Sequence, residues 1–302
     1  MHILDFPLEL LLHITDSLER EKDVLVFASL NRQLYDLLID YLYRRNATSS
    51  GASALFWAAQ HGQQGTAQRA LDNGASLSMT TKNRVTPLLL ASKVGQRQMV
   101  EYLLNLDGVD VNAADKFGQS SLTWAAKNGY AEIAKLLLTR PEIQLDMPDR
   151  ARLHPGNSAG YTPLCYAAKN GHADVLQVLL ETGRVDVHYR DRKSCFPLFH
   201  AAANGHDEVV ERLLKVPGMK FNMDCGSCTP LMKAAEGGHE IVVQLLLAMD
   251  GIDIDAYDSQ TETALAYAAV GGGMKELSES YSTKDVAPIL TAVAFSLHAQ
   301  RL

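Results

Sequence analysis

The chain has 302 residues, 47% of them apolar and 21% charged, a balance typical of globular rather than disordered sequences and long enough for two domains. A net charge of −7 argues against a general binder of nucleic acid or acidic membrane, which would be basic. The four cysteines, with no secretion signal beside them, predict free thiols in a reducing intracellular compartment, cytoplasm or nucleus.

The chain opens MHIL and continues DFPLELLLHITDSL. Asp5, Glu9 and His13 precede or interrupt the apolar residues, and no Lys or Arg occurs before Arg20, so this is not the pattern of a signal peptide. No run approaches the roughly 20 apolar residues of a membrane span, and no lipidation motif is visible at either end. Leu8, Leu11, Leu12, Ile14 and Leu18 recur at helical spacing, with Asp5 as a cap and Pro7 in the first turn. A helical module over 1–45 and a short linker over 46–52 are therefore expected.

From residue 53 the sequence copies itself: SALFWAAQHG, TPLLLASKVG, SSLTWAAKNG, TPLCYAAKNG, FPLFHAAANG, TPLMKAAEGG and TALAYAAVGG align column by column. The shared leucines, Leu55, Leu88, Leu122, Leu164, Leu198, Leu231 and Leu265, are spaced by 33, 34, 42, 34, 33 and 34 residues. Ser53, Thr86, Ser120, Thr162, Thr229 and Thr263 stand where a helix cap belongs, and Pro87, Pro163, Pro197 and Pro230 follow at the first helical position. Alanine pairs such as Ala125–Ala126 keep this inner helix thin. Gly62, Gly95, Gly129, Gly171, Gly205 and Gly238 end it where a left-handed residue is wanted. Outer helices such as EIAKLLLT and EVVERLLK come next, and segments such as VDVNAAD lead out to hairpin tips. About seven such repeats over 53–273 make an all-α solenoid the expected fold, because no repeat can bury its apolar face alone.

Two places depart from the period. Eight or nine extra residues between Leu122 and Leu164, within 147–159, predict a loop protruding at a hairpin tip. Over 274–302 the outer-helix pattern is missing, and Ile289, Leu290, Val293 and Leu297 suggest an atypical segment that caps the stack.

No catalytic constellation, phosphate loop or metal motif stands out, so an interaction protein without cofactor is expected rather than an enzyme. His172, His206 and His239 each follow a column glycine and are expected to be about 10 Å apart, too far to share a metal. The same reasoning sets Cys195 about 10 Å from the CGSC tip of the next repeat, too far for a disulfide without movement. CGSC, from Cys225 to Cys228, lacks a second pair for zinc and a βαβ context for redox work. The informative column lies two residues after the shared leucine and holds Trp57, Leu90, Trp124, Tyr166, His200, Lys233 and Tyr267. Trp57, Leu90, Trp124 and Tyr166 are expected to line a partner-binding groove, with tip residues Lys82, Lys116, Phe117, Arg192 and Lys193 gripping its rim.

The period near 33 and the TPLHxAA-like core resemble the ankyrin repeat. The N-terminal stretch resembles an F-box in Phe6, Pro7, Glu9, Leu10, Ile14, Leu18, Asp23, Val24, Leu25, Phe27, Leu30, Asn31 and Arg32. It departs in Phe6 for the usual first Leu, Leu34 for a common Trp, and one residue inserted before Asp23. The combination looks like a family common in filamentous fungi. The resemblance implies that Pro7, Leu8, Glu9, Leu10, Ile14 and Leu18 dock on the Skp-type adaptor of a cullin–RING (SCF) ubiquitin ligase while the repeats hold an unidentified protein substrate. It implies a monomer within a larger complex that contacts neither nucleic acid nor membrane. A scaffold or transcription co-regulator without ligase function, and a redox- or metal-sensing binder using Cys225 and Cys228, are the other readings of the same residues.

Overall fold

The computed structural model describes residues 40, 41, 43, 44, 46, 47, 53–150 and 160–270. The N-terminal module expected over 1–45, apart from those few positions, and the segment expected over 274–302 fall outside the described residues. Thirteen helices occur among the described residues, and the first twelve alternate as inner and outer members of a pair. They are α1 (Ser53–His61) and α2 (Gln64–Asp72), α3 (Pro87–Val94) and α4 (Arg97–Leu104), α5 (Ser121–Asn128) and α6 (Ala131–Leu138). Next come α7 (Pro163–Lys169) and α8 (Ala173–Glu181), α9 (Pro197–Ala203) and α10 (Asp207–Leu214), then α11 (Pro230–Glu236) and α12 (Glu240–Leu247), and last the inner helix α13 (Ala264–Val270). No strand occurs among the described residues; the hairpins contribute isolated bridges such as Cys225 with Cys228. The chain divides into two compact units, Met1–Lys116 with Leu136–Ile143, and Phe117–Lys135 with Gln144–Leu302.

In the first unit α1 packs on α3, and each packs on its own outer helix, burying Leu55, Leu89, Met99 and Leu103 completely. Polar side chains tie the two repeats together: Tyr102 donates its hydroxyl to Gln68 Oε1 at 2.7 Å, and Gln64 Nε2 donates to the Gln98 carbonyl at 3.0 Å. Asn46 was expected in a linker. Instead it donates to Ser53 Oγ at 2.5 Å and accepts the Ala54 N–H at 2.9 Å, satisfying a donor at the open start of α1. Asn46 and Ala47 are helical and buried, so the packed structure begins ahead of the first shared-leucine repeat.

In the second unit α5, α7, α9, α11 and α13 stack in chain order, with α8, α10 and α12 as a second layer. The alanine pairs explain the closeness of this stack: Ala125, Ala126, Ala167, Ala168, Ala201 and Ala202 have no exposed surface. The capping column behaves as expected. Thr86, Ser120, Thr162, Thr229 and Thr263 each accept the backbone N–H three residues on, at 3.2 to 3.4 Å. Phe196 breaks the column, and α9 has no side-chain cap.

The column glycines have two jobs. All six turn left-handed, with φ between 66° and 83°. A histidine from the next repeat also lies against three of them. Its Nε2 meets a carbonyl of the preceding repeat: His172 with Lys127 at 3.0 Å, His206 with Lys169 at 2.9 Å, and His239 with Ala203 at 3.3 Å. A Cβ on Gly129 or Gly171 would stand 2.7 or 2.6 Å from that ring. Gln96 does the same work in the first unit, donating to the Gln60 carbonyl at 3.0 Å above Gly62. These histidines therefore clip one repeat to the next. Gly183 offers a matched control, since it is left-handed at φ 62° with nothing near its missing Cβ. Gly183→Ala should lose about 1 kcal/mol for handedness alone. Gly171→Ala should lose clearly more, because it also displaces the His206 ring, and urea unfolding midpoints of the two variants will show the difference.

The hairpin tips approach one another by backbone pairing. Lys116 N–H donates to the Asn83 carbonyl at 2.8 Å within the first unit, and Arg150 N–H to the Phe117 carbonyl at 2.6 Å within the second. Backbone-paired chains run about 5 Å apart, half the helix spacing. This corrects the expectation for the cysteines: Cys195 and Cys225 have Cα atoms 4.6 Å apart and form a disulfide between neighbouring tips. One position of each tip is left-handed, and glycine is not its rule: Arg84, Ser194, Ser227 and Thr261 have φ of 60°, 63°, 76° and 64°, beside Gly118 and Gly160.

The insert leaves from this same tip. Asp149 N–H donates to the Tyr161 carbonyl at 3.1 Å, and Tyr161 N–H donates back to Asp149 Oδ1 at 3.2 Å. Asp191 with Cys195 and Asp258 with Glu262 make the same closure across a spacing of four residues, where Asp149 and Tyr161 are twelve apart. Asp149 thus belongs to the framework, and the extra residues are carried between the closed ends. Deleting 151–158 restores the four-residue spacing and should leave the melting temperature nearly unchanged, since a threefold change in loop length shifts stability by only about 1 kcal/mol. Asp149→Ala in the same melt should lose about 1–3 kcal/mol by stranding its buried partners.

Candidate functional site

In three hairpins one carboxylate organises the residues around the candidate groove column. Asp149, Asp191 and Asp258 each take a hairpin N–H on Oδ1 and a side chain of the inner helix on Oδ2. The Oδ2 partners are Tyr166 at 2.5 Å, His200 at 2.8 Å and Tyr267 at 2.7 Å, all in the column two residues after the shared leucine. Gln119 adds a donation to the Tyr166 hydroxyl at 2.9 Å. Burial pushes the Tyr166 phenol far above its ordinary range, with the Asp149 hydrogen bond acting in the same direction, and pushes Tyr161 up to about 12.

This arrangement sorts the expected groove residues. Trp57 is 50% exposed and stacks on His61 with ring centroids 4.5 Å apart. Leu90 and Trp124 are half-buried. Tyr166, expected on the groove wall, is only 4% exposed, and its hydroxyl is held by Asp149, so it serves the framework. Lys82, Lys116, Arg192 and Lys193 are exposed on the tips, and Phe117 is half-buried beside them. Within the second unit, cations lie over the rings. Lys127 Nζ is 4.7 Å from the Trp124 centroid and 5.3 Å from that of Tyr166, and Lys169 Nζ is 4.7 Å from Tyr161. Such contacts hold an aromatic surface rigid while leaving it polar at its edge. Cys165 is buried, and burial pushes its thiol up to about 11, which makes it unreactive.

Sequence reasoning missed one cluster. Asp191, Cys195 and His200 bring their donor atoms within 4.8 Å of one another, all three residues buried. The signal was there to find: this repeat has Cys where others have Tyr161 or Glu262, and His where others have Tyr166 or Tyr267.

An array of helix pairs with backbone-paired tips, carrying aromatic and cationic residues along its inner helices, defines a protein-interaction module. The sequence matches the family model described as "Ankyrin repeats (3 copies)" over residues 64–149, 150–225 and 198–280, and the chain belongs to the ankyrin-repeat family. Among solved structures it is similar to the ankyrin repeat domain of human ASB11, with a TM-score of 0.60 and 24% identity, over 71% of this chain and 90% of that one. Among curated proteins it is 39% identical to mouse Rabankyrin-5 over 23% of this chain and 6% of that protein. It is 35% identical to the human Photoreceptor ankyrin repeat protein over 28% of this chain and 20% of that one. It is 30% identical to the probable 26S proteasome regulatory subunit p28 of Saccharomyces cerevisiae over 34% of this chain and 45% of that one. The chain thus matches less than half the length of these curated relatives. No helix among the described residues is long and apolar enough to cross a membrane.

The Asp191 clasp gives the module an acid limit. Burial pushes its carboxyl up, but hydrogen bonds from His200 and from the Cys195 and Lys193 N–H groups outweigh this, and its pKa is lowered overall. A carboxyl with a depressed folded pKa stabilises above the unfolded value, and that contribution disappears as pH falls through the folded one. Unfolding midpoints should therefore decline as pH is lowered through and below the ordinary carboxylate range. In Asp191→Asn the baseline should be lower at neutral pH and the acid decline shallower.

Proposed function

We propose that this protein is a non-catalytic substrate-recognition adaptor. Its N-terminal residues dock on the Skp-type adaptor of a cullin–RING ubiquitin ligase, and its ankyrin repeats hold the target protein. The observation that carries the reading is the Phe-Pro-Leu-Glu-Leu opening with Ile14 and Leu18 at helical spacing, joined directly to a repeat array. Pro7, Leu8, Leu10, Ile14 and Leu18 supply the apolar contact to the adaptor. The exposed Trp57, the half-buried Leu90 and Trp124, and the tip residues Lys82, Lys116, Phe117, Arg192 and Lys193 supply the contact to the target. Aromatic residues near a rim of cations are good anchors for a protein surface, because they bury much area at little conformational cost. The protein then works by proximity, raising the effective concentration of target lysines near the ligase. This is a job for an intracellular protein.

Replacing Leu10 and Ile14 by Asp places charge in a desolvated contact, which costs several kcal/mol. The double variant should lose co-purification with the Skp-type adaptor while the repeats still capture the same target proteins. Equal recovery of the adaptor with the double variant and the wild type would refute the ligase reading and leave a scaffold or co-regulator.

A further inference from the structure

Three hairpin clasps share one plan, and one of them has exchanged its variable parts. In the plan, an Asp closes the hairpin with Oδ1 and receives an inner-helix side chain on Oδ2. Tyr166 and Tyr267 fill the second role in two repeats, and neither phenol is a usual ligand for zinc. The Asp191 clasp has His200 instead, and Cys195 at the hairpin return. The next tip then brings Cys225 against Cys195, Cα to Cα 4.6 Å, with their sulfurs in contact. One thiol, one imidazole and one carboxylate thus meet at one place, and the second thiol lies against the first.

We infer that, when Cys195 and Cys225 are reduced, Cys195 Sγ, Cys225 Sγ, His200 Nε2 and Asp191 Oδ2 form a binding site for one zinc ion. The donor set suits a borderline-soft, tetrahedral cation, whose ligand atoms sit about 3.3–3.8 Å from one another. Asp191, Cys195 and His200 already hold theirs within 4.8 Å, and His200 Nε2 is 2.8 Å from Asp191 Oδ2. Asp191 is held from behind, because Oδ1 takes the Lys193 N–H at 2.7 Å and the Cys195 N–H at 3.0 Å, which leaves Oδ2 to turn to a metal. The Tyr161 ring stands edge-on to the His200 ring, with centroids 5.0 Å apart, and fixes its plane. Cys225 is half-buried, so the site is reached from solvent on the side of the tip.

The disulfide and the ion exclude each other. A phosphine delivers two electrons to the Cys195–Cys225 bond and becomes the phosphine oxide, with one water supplying the oxide's oxygen and the proton gained by each sulfur. Zinc then displaces both thiol protons. His200 binds as the tautomer protonated on Nδ1, giving up its hydrogen bond to Asp191. Reduction alone would leave the two tips joined by Arg190, which donates to the Ser194 and Asp224 carbonyls at 2.9 and 2.8 Å, whereas reduction with zinc adds a second tie. This inference stands apart from the ligase reading and involves none of its residues outside the tips.

The test uses the full chain, reduced with a phosphine under anaerobic conditions and titrated with Co²⁺ alone as the probe. Wild type should take one Co²⁺ per chain, with visible bands of tetrahedral intensity and a sulfur-to-cobalt band in the near ultraviolet, both erased by added Zn²⁺. His200→Tyr installs the residue of the sister clasps and His200→Gln keeps a donor to Asp191. Whichever of them retains wild-type circular dichroism should bind at least tenfold more weakly. Cys225→Ser should lose about half the sulfur-to-cobalt intensity. Absence of these bands in the reduced wild type overturns the proposal. So does unchanged affinity in the folded His200 variants, which would mean that the thiols bind without the clasp.

Discussion

Three hairpins of the second unit depend on a buried carboxylate at their base. Placing an ionised group out of water is costly unless its lone pairs are taken. Here one oxygen closes the hairpin and the other reaches the inner helix, so a single side chain sets the angle between two pieces of backbone. In the second unit this happens at Asp149, Asp191 and Asp258, with different partners each time. Other features follow from it. A closed hairpin can lie edge to edge with its neighbour, the neighbour's tip comes within backbone hydrogen-bonding range, and the inner helices are drawn close enough that only alanine fits between them.

Much of this was legible in the residues. The shared leucines, the Thr/Ser caps and the terminal glycines each have a local mechanical reason, and all appear where periodicity placed them. What was not legible depended on distances that run between repeats. Reading every separation as helix packing put the tips twice too far apart and so missed the disulfide; the Asp191–Cys195–His200 cluster lies within one repeat and was missed because the hairpin's return onto the inner helix was not read. Tyr166 was taken for groove surface because its column faces that way in sequence. Its hydroxyl instead turns back to Asp149, a partner hidden by the insert that pushes Asp149 out of register with its counterparts. The linker expectation failed similarly: Asn46 lies in a polar stretch, and its role as the cap of α1 shows only once Ser53 and Ala54 are folded against it.

The histidine clip shows how two columns constrain each other. A glycine ends one helix so that a ring from the following repeat can lie on it, and the ring then reaches a carbonyl that the helix end leaves open. Gln96 achieves the same contact with a different functional group. What the site demands is a flat polar group of a certain length, and this explains why the column tolerates exchange of residue type but not of size at the glycine beneath it.

The closed base at Asp149 and Tyr161 has a further consequence for how such chains diversify. The chain enters and leaves the insert through two points already fastened together, so the framework closes across the insert whatever its length. A sequence of arbitrary length and chemistry could be carried there as on a socket. Each clasped hairpin is in this sense a port at which new recognition can be acquired without renegotiating the core, and this protein has opened one of them.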